Sequence, residues 1–152
     1  MKHIWSILCQ TSIRDQDTNR TSIINAMDSI GFIVDRAKLE AKKNIPANLE
    51  IVSLWDNDKK RVKEFLVRVD LIDSQKKVLI SSELPVARPN NKHISSEARS
   101  VTTRMSINLL PLTTAGQYLF KVSQKYPEDK KFNTVAELPL EIKIKYQADI
   151  KK

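Results

Sequence analysis

The chain holds one cysteine and two histidines, which leaves little room for thiol or imidazole chemistry. His3 and Cys9 are the Cys/His pair near in sequence. On one strand, positions this far apart are separated by roughly 20 Å, too far for a thiolate–imidazole contact. Cys9 therefore reads as a small buried apolar residue. His93 lies in a polar stretch, and only the fold could bring it to Cys9. Two histidines and one cysteine cannot form a structural zinc site without carboxylates. Asp15-x-Asp17-x-Asn19-x-Thr21 places oxygen ligands at alternate positions, as the start of a calcium loop does. It lacks the glycine of the sharp turn, and its twelfth position is Ala26 rather than Glu, so a solvated hairpin turn is the simpler reading. Asp56 and Asp58 could join acidic loops around calcium, but Lys59, Lys60 and Arg61 beside them would repel the cation. No Gly-x-Ser-x-Gly, phosphate-binding loop or dinucleotide fingerprint is present, and the sequence has only two glycines. The expectation is no catalytic residue, no cofactor, no metal, and no enzyme.

Charge points elsewhere. The net charge is +8, from 26 basic and 18 acidic side chains. Residues 1–76 contribute 13 − 11 = +2 and residues 77–152 contribute 13 − 7 = +6. A basic chain favours acidic partners. If each strand runs antiparallel to the one before it, loops 56–63, 87–100 and 125–134 fall at one end. They carry Lys59, Lys60, Arg61, Lys63, Arg88, Lys92, His93, Arg99, Lys125, Lys130 and Lys131. On the same assumption the turn holding Asp15 and Asp17 joins them. Such a cluster could bind phosphates. Single-strand binding would also need exposed aromatics for stacking, and Phe32, Tyr126 and Phe132 are the loop candidates. The plainer alternative is that lysines keep a β-rich protein soluble and protect its sheet edges. Lys143, Lys145, Lys151 and Lys152 fit that role.

The elements that must position these residues are strands. Trp5, Ile7 and Cys9 alternate with Ile4, Ser6 and Leu8, and apolar residues on both faces predict a strand covered on both sides. Residues 15–19 are a turn by composition. Ser22–Asp28 fits either a helical stripe or the second strand of a hairpin, and the hairpin is favoured. Asp35–Asn44 predicts a short surface helix or a loop, with Asp35 as N-cap. Leu49–Trp55 is a strand, and residues 65–72 and 78–86 form a hairpin around a loop of four or five residues. Residues 88–99 are a long polar connection. Met105, Ile107 and Leu109 share a face, and Pro111 stops that ladder. Gly116 is free to take positive φ in the turn before Tyr118, Phe120 and Val122. Leu138, Leu140, Ile142, Ile144 and Tyr146 alternate with Glu137, Pro139, Glu141, Lys143 and Lys145, and Pro139 places this strand at an edge or bulge. Trp5 and Trp55 are expected between the sheets. About eight strands result, in one domain over residues 1–152.

Leu110-Pro111-Leu112 through Gly116-Gln117-Tyr118-Leu119-Phe120-Lys121-Val122 resembles the E–F corner of an immunoglobulin-like domain. There a tyrosine early in a strand bonds back to the corner backbone, the part Tyr118 would play. The buried Cys pair of that domain type is missing. His3-Ile4-Trp5-Ser6-Ile7-Leu8-Cys9-Gln10, a polar turn, and Ser22-Ile23-Ile24-Asn25 resemble the opening hairpin of a family of small uncharacterised bacterial and phage proteins. That resemblance runs along most of the chain. It implies an all-β, immunoglobulin-like antiparallel β-sandwich and no known activity.

One cysteine excludes an internal disulfide and favours a reducing compartment. The apolar run Ile4–Cys9 is broken by Ser6 and is too short for an export signal. No stretch approaches the ~18 apolar residues of a membrane span. The expectation is a cytoplasmic protein off the membrane. Its function would be a non-enzymatic interaction module that meets a protein partner through end loops or a sheet edge. Nucleic-acid binding at the basic end is one alternative. A structural or assembly component, oligomeric through an edge strand, is the other.

Overall fold

Period-two alternation shapes most of the strands in the computed structural model, in which residues 1–18, 20–35, 44–56, 64–86, 100–111 and 114–146 are described. Among them are nine strands and no helix. They are β1 (Lys2–Arg14), β2 (Thr21–Ala26), β3 (Ser29–Val34), β4 (Ile45–Asp56), β5 (Phe65–Ile72), β6 (Val78–Val86), β7 (Ser100–Leu110), β8 (Gly116–Lys125) and β9 (Asn133–Tyr146). One sheet has the order β2-β1-β4-β7, the other β3-β9-β8-β5-β6. The inward residues of both form one core, which includes Leu8, Leu49, Ile51, Trp55, Phe65, Val67, Leu71, Phe120, Leu140 and Ile142. The all-β sandwich is thus as the alternation predicts.

The strand count is nine rather than eight. The added strand is β3, a short run containing Gly31 whose partner is remote in sequence. It pairs parallel to β9, from Ser29↔Glu141 to Val34↔Tyr146, so the sheets are not wholly antiparallel. Because β3 pairs no further than Glu141, the preceding half of β9 has, among the described residues, a strand neighbour on one side only, and Pro139 sits there. A proline without an N–H fits such a local edge. The 35–44 stretch lies, between its two end residues, outside the described residues.

Three other expectations meet the structure differently. Leu109 is half exposed while Leu110 is fully buried. The β4–β7 register shifts between Pro46 and Leu49, and the bulge turns the end of β7 so that Leu110 enters the core. Trp55 is fully buried and its Nε1 donates to Thr103 Oγ1 at 2.9 Å. Trp5, by contrast, is half-buried and stands outside the core cluster, on the sheet face it shares with Leu54. The turn after β1 lies at the far end of that strand from Lys2↔Asp56, so Asp15 and Asp17 do not join the predicted loop end.

At the corner before β8, Gly116 takes a φ of 144° and Tyr118, nearly buried, donates its hydroxyl to Thr114 O at 2.8 Å. The β5–β6 turn spans residues 73–77. Asp73 Oδ1 accepts from the N–H groups of Gln75 and Lys77, both at 2.9 Å. The carboxylate thereby replaces the ladder partners that the turn removes.

Candidate functional site

The strand ends bracketing the predicted basic loops do converge. Asp56 at the end of β4 pairs with Ser100 at the start of β7, and Phe65 at the start of β5 pairs with Val86 at the end of β6. The Trp55 and Phe65 rings meet edge to face at 5.1 Å, and Tyr126, just past β8, lies 6.0 Å from Phe65. Tyr126 also donates its hydroxyl to Met1 O at 2.6 Å. Asp129 caps the loop that follows, with Oδ2 accepting from Tyr126 N at 3.1 Å. Of the predicted binding residues, Lys125, Lys130 and Lys131 are described; Lys125 ends β8, and Lys130 and Lys131 are exposed on the loop that follows. Lys59, Lys60, Arg61, Lys63, Arg88 and Lys92 lie outside the described residues.

Each of the three aromatics proposed for base stacking already has a packing partner. Phe32 is on β3 and packs against the core. Tyr126 packs against Phe65 and is tied to Met1. Phe132 is covered by the Arg68 guanidinium, 4.1 Å from its ring centre, with Lys125 Nζ at 5.7 Å. Arg68 is itself held by Asp70, whose Oδ2 is 3.1 Å from Arg68 Nε, too far off line for a hydrogen bond. Stacking on these rings would compete with those contacts, whereas phosphate contact by the exposed Lys130 and Lys131 would not.

A short polar chain runs inward at the same end. His3 Nε2 is 2.8 Å from Ser6 Oγ, and Ser6 Oγ is 2.7 Å from Ser53 Oγ. A serine beside an imidazole is the start of a nucleophile–base pair. Burial holds His3 below its ordinary range, only partly offset by a hydrogen bond that the ring donates to the Trp5 backbone carbonyl. No carboxylate is hydrogen-bonded to the ring among the described residues, and the ring packs against Trp55 at 5.1 Å. The arrangement satisfies buried hydroxyls and seals the core end.

Cys9 is fully buried and unpaired, as its setting in an apolar alternation suggests. Burial pushes its thiol up, and the Glu50 carboxylate adds to the effect. Asp15 Oδ1 accepts from Thr18 N at 2.6 Å, Thr18 Oγ1 at 2.8 Å and Asp17 N at 3.0 Å. These bonds hold its carboxyl below the usual range. The carboxylate is used by its own turn, and no group of three potential metal ligands occurs among the described residues.

The feature that composition alone did not single out is the free edge of β7. It ends the sheet order and is paired with β4 on one side, with no strand on the other among the described residues. Its 11 residues exceed the 6 of β2, 6 of β3 and 9 of β6, the other edges. β3 carries Gly31, and β6 carries Glu83 and Pro85, whereas β7 has no proline, glycine or lysine. Its one charge, Arg104, donates from Nη1 to Ser12 O at 3.3 Å. Long edges without such protection are templates for added strands. Val101 and Met105 pack against the core yet are only half-buried, leaving apolar surface along this rim.

No family model and no curated protein matches the chain. Among solved structures, a glycosyl hydrolase family 2 member from Bacteroides cellulosilyticus aligns with a TM-score of 0.46 at 13% identity. The match covers 67% of this chain and 15% of that protein. No helix among the described residues is long and apolar enough to cross a membrane.

Proposed function

We propose that this protein is a non-enzymatic protein-interaction module that takes an extended segment of a partner as an added strand on β7. The supporting observation is the long, unprotected edge of that strand. In an antiparallel ladder alternate residues face each side, so about five residues of β7 offer about ten hydrogen-bonding groups outward. Main-chain bonds would supply affinity, and packing over Val101 and Met105 would supply selectivity. The chain's charge of +8 favours a neutral or acidic segment. It also disfavours a second copy, which would bring another +8 and a second Arg104 to the same edge. An immunoglobulin-like strand arrangement and a cytoplasmic setting belong to this proposal. Tyr118 at its corner and the lone cysteine support them.

Nucleic-acid binding at the Lys125, Lys130 and Lys131 loop is the weaker reading, because the aromatics beside it are occupied. The two separate by selection of peptides about ten residues long, the reach of such a strand, from a displayed library. Peptides that bind and protect β7 amides from exchange support the proposal. Peptides that bind while leaving β7 unprotected, or a selection that yields none, contradict it. Self-association through β7, detected by sedimentation, would also contradict the choice of a foreign segment.

A further inference from the structure

A second surface, on the face of the sheet rather than its edge, follows from where β1 leaves β4. The two strands pair from Lys2↔Asp56 to Cys9↔Glu50. Beyond Cys9, β1 continues with β2 through Arg14↔Thr21 and no longer pairs with β4. Its outer half meets β4 and β7 through side chains instead. Ser12 N and Oγ both donate to Glu50 Oε2, at 2.8 and 2.7 Å, and Arg104 of β7 reaches Ser12 O. The β4–β7 register shifts close by, between Pro46 and Leu49. A parted strand pair beside a bulge leaves a cleft of about 420 Å³.

Six of its seven lining residues are polar. Gln10 and Thr11 come from β1, Asn48 and Glu50 from β4, and Ser106 and Asn108 from β7. Leu49 also borders the cleft, but it is 1% exposed and belongs to the core, so it offers little apolar surface. Gln10 Oε1 accepts from Asn25 Nδ2 at 2.7 Å, which leaves the Gln10 amide NH₂ to donate elsewhere. Ser12 engages one oxygen of Glu50 and leaves the other as an acceptor. Asn48, Ser106 and Asn108 are exposed at the cleft. Residues bearing three amides, two hydroxyls and one carboxylate thus line the cleft, with no cation in the lining.

We infer that this cleft binds a neutral polyhydroxylated ligand, a saccharide unit. Each carboxamide can donate and accept, and a carboxylate accepts from hydroxyls, so the set matches vicinal hydroxyls, which also donate and accept. The Glu50 carboxylate disfavours anions, and a single carboxylate among neutral groups does not make a cation site. Leu49, the one apolar residue at the cleft, is 1% exposed, so a peptide's apolar side chains find little to enter. The volume lies within the ordinary range of small-ligand sites. This inference is independent of strand addition at β7, because Ser106 and Asn108 contribute from the sheet face.

The test is a titration of the full chain with maltose, cellobiose and lactose, with glucuronate as the charged control, read by amide chemical shifts. The expected result is saturable shifts of the Gln10, Asn48 and Asn108 side-chain amides, with a Kd of ~1 mM. Asn48→Ala and Asn108→Ala should each weaken binding about tenfold, the loss of one good hydrogen bond. Both positions are exposed, and a retained dispersed spectrum shows that the variants fold. Longer oligomers of whichever disaccharide binds separate the two sources of this chemistry. Tighter binding of the oligomer marks a polysaccharide, and equal binding marks a free sugar. The inference is overturned if these side-chain amides do not move at ~10 mM sugar, if glucuronate shifts them equally, or if both alanine variants bind as wild type.

Discussion

Replacing Tyr118 by phenylalanine removes one oxygen from the corner before β8 and leaves the ring's packing intact. That hydroxyl donates to Thr114 O at 2.8 Å and stands 3.5 Å from Thr114 Oγ1, and the residue is 6% exposed. The first contact is a good hydrogen bond, and the second is at the limit of one. Deleting the donor leaves a carbonyl beside a nearly buried ring, with a cost of about 1–2 kcal/mol. The assay is urea unfolding, where Tyr118→Phe should lower the midpoint without changing the slope. Thr114→Ala is the control. It removes only the long hydroxyl contact and keeps the accepting carbonyl, so it should cost less than ~0.5 kcal/mol. The reasoning fails if Tyr118→Phe stays within ~0.3 kcal/mol of wild type, or if Thr114→Ala matches its loss.

Other predictions follow from the buried polar groups. Burial lowers His3 below its ordinary range, so the unfolded chain takes up this proton first as pH falls. The His3 contribution is therefore present above about pH 6.5 and is lost as pH drops through the depressed folded value. His3→Phe keeps the contact with Trp55, and its stability curve between neutral and mildly acid pH should be flatter than wild type, measured by unfolding at each pH. An identical slope would show that His3 does not titrate with folding. Cys9 is fully buried with its thiol pushed up, so it should resist a disulfide-exchange reagent in the native state and react at once in urea. Rapid native labelling would contradict the placement of β1 between β4 and β2.

Much of the fold was legible because its strands are amphipathic. The alternation of Leu138, Leu140, Ile142 and Ile144 sets the inward face of β9, and all four pack in or against the core. Gly116 and Tyr118 marked the corner through turn chemistry and a buried hydroxyl that needs a partner. β3 was not legible, since six residues with Gly31 carry a weak pattern and pair in parallel with a strand more than a hundred positions away. Leu109 was misplaced because a bulge on β4, a feature of the partner strand, turned the end of β7. Sequence reasoning brought Lys125, Lys130 and Lys131 to one loop, which adjacency alone ensures. It put the Asp15 turn at the wrong end, because assumed alternation replaced the observed pairing of β1 with both β2 and β4.

The proposed docking edge and the cleft were less visible for different reasons. β7 reads as an ordinary half-buried strand, and its lack of proline, glycine and lysine matters only once it is known to end a sheet. Gln10, Asn48, Glu50, Ser106 and Asn108 are polar residues scattered over three strands, each unremarkable as a solvent-facing position. Their convergence depends on the parting of β1 from β4 after Cys9, for which the local sequence carries no turn or proline signal.

Amide hydrogen exchange along residues 100–110 tests the central claim most directly. In the free monomer, the N–H groups bonded to β4 should exchange slowly and the alternating outward set should exchange quickly. Adding a selected strand-forming peptide should protect the outward set and leave the rest of the pattern unchanged. Outward amides already protected in the free monomer, or a bound peptide that leaves them fast, would contradict the assignment of β7 as the docking edge.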